Sequence, residues 1–263
     1  MSVIEAIILG VIQGITEFLP VSSSGHLELA QALFGNQNNS EGNLLFTIVV
    51  HGATALATLV VFRADVWSII RGLFQFTNNE SAQFSLRIVL SMMPAALIGY
   101  FFEDIISSQF FGNTLLVGLM LWITAGLLYI ADKPTENRAN VSLTNAWWIG
   151  IAQAFAILPG VSRSGATIAI SLLLGVARDR AARFSFLMVV PLIFGSMAKK
   201  ILDGGLEQEV LSLSPILAGF MAAFISGYLA CRWMIALVKR SQLRYFAYYC
   251  ALVGTISLVT SLV

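Results

Sequence analysis

Apolar runs along this chain come in two lengths. Residues 3–19 are largely apolar but fall short of the ~20 residues a membrane-spanning helix needs, and they end in Pro20 and the run Val21-Ser-Ser-Ser-Gly-His26. Residues 27–34 form a second short apolar piece, closed by Gly35 and the polar stretch Asn36–Asn43. This short–loop–short pattern predicts a re-entrant helical hairpin over 3–35. Irregular backbone at membrane depth is tolerated only where protein or a wet cavity surrounds it. Three full-length spans follow, near 44–62, 84–102 and 114–131, separated by the polar connections Arg63–Gln83, Glu103–Asn113 and Asp132–Asn145. The pattern then recurs: short pieces at 146–158 and 166–176 predict a second hairpin over 146–176, with spans near 184–202, 213–238 and 245–263.

The recurrence is also one of letters. Without gaps, Gly10, Gln13, Val21, Ser22, Ser24 and Gly25 match Gly150, Gln153, Val161, Ser162, Ser164 and Gly165, 140 residues downstream. Phe46, Val49 and Val50 match Phe186, Val189 and Val190 at the same offset, whereas the two Leu-Pro pairs align only if Gly160 counts as an insertion. Repeats decide a fold and must be read first. The expected fold class is therefore an all-α polytopic membrane protein built as two repeats, 1–140 and 141–263, within one integral membrane domain. Three spans per half is an odd number, so the halves should have inverted topology, with a site near the midplane where the broken helices meet.

Composition supports the membrane reading. The chain is 57% hydrophobic and only 11% charged, with a mean hydropathy of +0.83, against ~25% charged residues in a soluble domain. A net charge of +1 leaves no basic face for nucleic acid. Cys231 and Cys250 both lie in apolar segments and read as packing residues. The N-terminal run lacks a positive leading region and is interrupted by Glu17, so it reads as part of the fold and not as a signal peptide. The side bearing the N-terminus holds only Lys199 and Lys200 of the 15 Lys and Arg, and 12 flank the other side, Arg163 being the remainder. By the positive-inside rule, both termini and the opening of the first hairpin should face outward.

The two loops differ in charge. The first carries Glu17 and His26; the second has Ile157 and Ala166 there, and places Arg163 where the first has Ser23. Complementary loss of symmetry is what a single shared site would produce. An ionised group at membrane depth is a functional hypothesis by default. A guanidinium offers a planar fork of donors for phosphate. Serine hydroxyls, glycine-permitted backbone N–H groups and the following helix N-termini favour an anion at Ser162–Gly165 and at Ser22–Gly25. Against this stand a structural ion pair of Arg163 with Glu17, and helix capping for at least one of the serines. Gln13 and Glu17, four apart, share a helix face; Glu17 suits a divalent cation, a base or the orientation of His26, while Gln13 suits either the site or helix packing. His26 exchanges protons near neutral pH; His51 reads as a packing or supporting residue, and Thr167 as a cap or a phosphate contact. Together these residues suit phosphoryl transfer, with Arg163 and backbone donors on the phosphate, a serine attacking, His26 moving a proton and a metal on Glu17. No Walker A sequence is present.

At these residues the sequence resembles the bacitracin-resistance family of undecaprenyl-diphosphate phosphatases. Gln13-x-x-x-Glu17 resembles its (Glu/Gln)-x-x-x-Glu motif, and Val21-Ser-Ser-Ser-Gly-His26 and Pro159-Gly-Val-Ser-Arg-Ser-Gly-Ala-Thr167 resemble its other two signatures. The resemblance covers essentially the whole chain. It implies removal of the terminal phosphate from a C55 polyprenyl diphosphate at the bacterial plasma membrane, which regenerates the lipid carrier for cell-wall synthesis. It also implies bacitracin resistance, the antibiotic competing for the substrate and not binding the protein, and a Mg2+ or Ca2+ cofactor. It assigns catalysis to Glu17, Ser23, His26 and Arg163, and places Ser22, Ser24, Gly25, Ser162, Ser164, Gly165 and Thr167 around the diphosphate. Many relatives have Glu at the position of Gln13; an amide still coordinates through oxygen but supplies no charge. Phosphatidic-acid-phosphatase-type enzymes share Ser-Gly-His and Ser-Arg signatures, yet need a second histidine after Ser-Arg, and none follows Arg163. A polyprenyl-phosphate flippase or anion transporter is the competing expectation from the repeats alone, because fold does not settle function.

Overall fold

A computed structural model describes residues 1–34, 40–75, 77, 79–110, 112–132, 139–202, 213–240 and 242–262. Among these residues the chain forms eleven helices: α1 (Val3–Phe18), α2 (Ser23–Leu33), α3 (Ser40–Val61), α4 (Arg63–Leu73), α5 (Glu80–Phe110), α6 (Thr114–Ala131), α7 (Leu143–Phe155), α8 (Arg163–Leu173), α9 (Arg178–Leu202), α10 (Leu213–Lys239) and α11 (Leu243–Leu262). Extended pairing among them is confined to the isolated bridge of Ala139 with Val176. By length and composition α5, α6, α9, α10 and α11 can each cross a membrane, and α3 with α4 forms a sixth candidate bent by 81°. The protein is an all-helical, polytopic membrane protein.

Local chemistry sets the helix ends. Ser2 caps α1 in a capping box with Glu5, the two side chains each satisfying the other's backbone N–H. The helix stops at Leu19, which is extended at φ −69°, ψ 141°, as the residue before a proline should be. Ser142 accepts from Asn145 N at the start of α7, and Asn113 accepts from Leu116 N at the start of α6. The two short–loop–short units therefore exist as the helix pairs α1–α2 and α7–α8, the second beginning at Leu143.

Three boundaries differ from the sequence reading. The stretch after the first span is not wholly a connection, because Arg63–Leu73 is a helix turned sharply from α3. Its three charges in 11 residues hide it from a hydropathy reading. The helix expected near 84–102 begins at Glu80 and continues to Phe110, through much of the connection expected at 103–113. The helix expected near 184–202 begins at Arg178. Gly35–Asn39, expected to close the first hairpin, and Val263 lie outside the described residues.

Packing crosses between the halves. α1 lies on α10, α7 lies on α5, α6 on α11, and α3 on both α9 and α10. In both short leading helices a glycine permits the contact. A Cβ on Gly10 would stand 2.4 Å from the Gly219 carbonyl oxygen, and one on Gly150 would stand 2.5 Å from the Ser91 carbonyl oxygen. Small residues at such crossings let helix backbones approach closely in a membrane. The repeated Gly10/Gly150 pair thus has a packing cause. A core of Leu121, Leu128, Ile149, Ile168, Phe184 and Phe186 closes around the two loop tips.

Candidate active site

The tips at Pro20–Ser23 and Pro159–Arg163 meet. Ser164 Oγ donates to the Leu19 carbonyl at 3.2 Å. A Cβ on Gly25 would lie 3.2 Å from Gly160 Cα, and one on Gly165 would lie 3.2 Å from Pro20 Cβ. Each tip needs one residue in the left-handed backbone region. In the second it is Gly160, at φ +95°; the first lacks that extra glycine and places Ser22 there instead, at φ +70°. A serine at positive φ is uncommon and strained. The α6 residue Thr124 ties down the second tip, donating to the Gly160 carbonyl at 3.3 Å and accepting from Ser162 N at 3.0 Å.

Two of the expected phosphate-site serines cap helices. Ser22 Oγ accepts from Gly25 N at 3.3 Å, and Ser162 Oγ accepts from Gly165 N at 3.1 Å, the side-chain-to-N3 bond of a helix N-cap. Each also lies beside the serine two residues on: Ser22 with Ser24 at 3.4 Å, Ser162 with Ser164 at 3.3 Å. This capping points the first turns of α2 and α8, with their unpaired N–H groups and positive dipole ends, at the junction. Thr167, one turn into α8, donates to the Arg163 carbonyl at 2.8 Å and lies 2.6 Å from Ser185 Oγ of α9.

Glu17 is the hub. At the end of α1 it is buried, its side chain 3% exposed. One carboxylate oxygen, Oε1, is bonded to the Arg163 guanidinium from the start of α8. The other, Oε2, accepts from Gln13 Nε2 at 2.9 Å and from Ser23 Oγ at 2.9 Å. His51 Nε2 of α3 stands 3.9 Å from that same oxygen, its Nδ1 held 2.8 Å from the Thr47 carbonyl. Burying a carboxylate is costly unless it is paired and hydrogen-bonded, and here both conditions are met.

Gln13, Glu17, Ser23 and Arg163 are therefore brought into one cluster. His26 is turned elsewhere. Its Nδ1 lies 2.8 Å from the Ser22 carbonyl, and its Nε2 lies 2.8 Å from the Tyr249 hydroxyl of α11. The two rings stack with centroids 5.6 Å apart. Tyr249, Thr124 and Ser185 escape the sequence reading, because each lies inside an apolar span with no recognisable motif beside it. His51 was legible as a residue beside a glycine, but its approach to Glu17 depends on the packing of α3.

For a divalent cation the cluster offers oxygen but little charge. No group of three or more His, Cys, Asp or Glu gathers among the described residues. Glu17 is the one carboxylate of the cluster and is matched by Arg163. Beside it, however, Gln13 Oε1 is buried and accepts no hydrogen bond. A Mg2+ ion is commonly held by one or two carboxylates, with the remaining ligands from substrate phosphates and water. Gln13 and Glu17 fit that limited role.

The undecaprenyl-diphosphatase of Christiangramia forsetii is 55% identical over 259 residues, covering 98% of both chains. That of Bacteroides fragilis strain YCH46 is 48% identical over 266 residues, covering 98% of this chain and 97% of the relative. That of Methanobrevibacter smithii is 36% identical over 278 residues, covering 100% and 99%. The family model described as bacitracin resistance protein BacA matches residues 6–256, and with full-length relatives at this identity the chain belongs to that family.

Proposed function

We propose that this protein hydrolyses undecaprenyl diphosphate to undecaprenyl phosphate and inorganic phosphate. This recycles the lipid carrier of cell-wall synthesis and gives bacitracin resistance, the antibiotic competing for the lipid. The observation that carries the reading is the bonding of one buried carboxylate, Glu17, to both Ser23 and Arg163 at the meeting of two capped helix N-termini. Full-length relatives named undecaprenyl-diphosphatase support the substrate.

The geometry supports the following roles. Arg163 and the N–H groups opening α2 and α8 hold the terminal phosphate and stabilise the charge that develops on it, the main task in phosphoryl transfer. Ser24, Gly25, Ser164, Gly165 and Thr167 shape that cradle, and Ser22 and Ser162 cap the helices that supply it. Ser23 is the nucleophile and Glu17 its base, because Ser23 Oγ already donates to Glu17 Oε2. Ser23 Oγ bonds to the terminal phosphorus as the bridging P–O bond breaks; its proton passes to Glu17 and leaves with the lipid monophosphate. His26, paired with Tyr249, serves proton exchange at the mouth of the site. A divalent cation, Mg2+ or Ca2+, entering with the diphosphate would be held by Glu17 and Gln13 Oε1 and would neutralise phosphate charge.

The placement of the site is part of the same reading. The exchanged packing, α1 on α10 and α7 on α5, supports two repeats of opposite orientation that each contribute one hairpin. The 12-to-2 distribution of Lys and Arg supports termini and a site opening on the outer face of the plasma membrane. Lipid carriage across the bilayer is a second reading, favoured by that same packing. Purified protein in phospholipid vesicles should release phosphate from undecaprenyl diphosphate. Lipid transfer without phosphate release would select the carrier.

A further inference from the structure

A small cavity lies behind the Glu17–Arg163 pair, between α3 and α9. Its polar wall is Thr54, Thr58, Ser164 and Ser185, and Phe18, Phe186, Val189 and Ile193 close its apolar side. Its volume of about 10 Å3 is room for a single water molecule.

The direction of each hydroxyl decides what the cavity binds. Thr54 Oγ1 donates to the His51 carbonyl at 2.8 Å, and Thr58 Oγ1 to the Thr54 carbonyl at 3.0 Å. Ser164 Oγ donates to the Leu19 carbonyl at 3.2 Å. Thr167 Oγ1 reaches the Arg163 carbonyl at 2.8 Å and lies 2.6 Å from Ser185 Oγ, where either hydroxyl can be the donor and Ser185 keeps at least one lone pair. A hydroxyl has one hydrogen and two lone pairs. All four wall hydroxyls therefore offer lone pairs to whatever sits between them, as does the Glu17 carboxylate, and Arg163 alone offers N–H. Lone pairs repel a phosphate oxyanion, and the guanidinium repels a metal ion. A neutral ligand of this size with two hydrogens and an accepting oxygen satisfies both.

We propose that this cavity seats the hydrolytic water of the reaction, with Thr54 and Ser185 as its positioning residues. The inference rests on the phosphatase reading, with Ser23 as nucleophile. Ser23 does not line the cavity, but Glu17, which accepts from Ser23 Oγ, and Arg163, which would hold a phosphate on Ser23, both do. The water oxygen bonds to phosphorus as the bond from phosphorus to Ser23 Oγ breaks. One water proton passes to Glu17 and from there to Ser23 Oγ; the other stays on the released phosphate.

The test uses the full chain in phospholipid vesicles and undecaprenyl diphosphate labelled in its terminal phosphate, sampled by rapid quench. Thr54→Val with Ser185→Ala should form the first equivalent of undecaprenyl phosphate at the wild-type rate, which also reports that the variant is folded. Phosphate release should then slow by about a hundredfold, the effect of a misplaced reactant, with label accumulating on Ser23. Thr54→Ser, which keeps the hydroxyl, should release phosphate close to the wild-type rate. Wild-type phosphate release by the double variant overturns the inference, as does equal slowing of both steps with no labelled enzyme. A wild-type protein that releases no phosphate overturns the underlying phosphatase reading instead, and needs no variant to detect.

Discussion

Arg163 opens α8 and Glu17 closes α1, 146 residues apart in sequence, yet their side chains form a buried ion pair. Neither loop holds both charges, so the pair forms only when the two hairpins meet. That makes it at once a structural tie between the two hairpins and the electrostatic centre of the candidate site.

The first prediction separates these two functions. Removing one partner of a buried pair leaves an uncompensated charge and costs about 3–5 kcal/mol, whereas removing both is far milder. Arg163→Ala and Glu17→Ala should each lower thermal stability more than the double variant does. Activity should not follow stability. All three variants should lose about a hundredfold or more in phosphate release, as when a transition-state donor is lost. A stable double variant with near wild-type turnover would remove Arg163 and Glu17 from the chemistry.

Gln13 is where cation dependence can be read. Gln13→Glu would set two carboxylates four residues apart on α1, and like charges at that spacing repel. The variant should unfold at lower temperature than wild type without divalent cation. Added Mg2+ or Ca2+ should restore its stability, while wild-type stability should hardly respond. Thermal unfolding with and without cation checks this, and an equal response of the two proteins would count against a cation at Gln13 and Glu17.

Much of this was legible in the sequence, and for a physical reason. Short apolar runs broken by Pro20 and Pro159 can only be half-helices, and a 140-residue echo forces the tips to be treated as a pair. Glu17, Ser23 and Arg163 were legible because charge and serine clusters are rare at membrane depth. The partners drawn from distant helices were not. Tyr249 lies 223 residues from His26, and no local pattern links them. His26 was expected to exchange protons beside the attacking serine, yet its imidazole points to Ser22 O and Tyr249. The serines were ambiguous for a different reason: a capping serine and a ligand-binding serine look alike until the helix start is known.

That ambiguity makes the next prediction. Ser22 caps α2, while Ser23 is bonded to Glu17. Ser22→Ala should lower stability by about 0.5–2 kcal/mol, the cost of losing an N-cap, and leave substantial activity. Ser23→Ala removes a hydrogen bond to a buried carboxylate, which costs about 1.5–3 kcal/mol, and should abolish phosphate release. Parallel melting curves and turnover measurements distinguish the adjacent serines, and the reverse pattern of activity would exchange their roles.

Tyr249 tests the part played by His26. Tyr249→Phe keeps the stacked ring and removes the hydroxyl bonded to His26 Nε2. A net hydrogen bond contributes about 0.5–1.5 kcal/mol, so turnover should fall roughly two- to tenfold if the imidazole must be held in this orientation. A steady-state comparison with His26→Ala fixes the scale. Loss on removing His26 but none on removing the Tyr249 hydroxyl would show that the imidazole works in another orientation.

The packing between halves makes the last prediction, through two glycines in helices that touch each other. A Cβ on Gly150 would stand 2.5 Å from the Ser91 carbonyl oxygen, backbone that cannot swing aside, whereas one on Gly99, in the same α5 as Ser91, would meet nothing within 4 Å. Helix propensity alone favours alanine over glycine by about 0.8–1.0 kcal/mol at either position. Gly99→Ala should therefore be neutral or stabilising. Gly150→Ala should be destabilising, because α7 must move off α5 to admit the methyl group. Since α7 carries the second tip, its displacement would also carry Arg163 away from Glu17, and phosphate release should fall with stability. Melting temperature and turnover of the two variants decide it, and a Gly150→Ala protein as stable and active as wild type would mean that α7 does not set the position of Arg163.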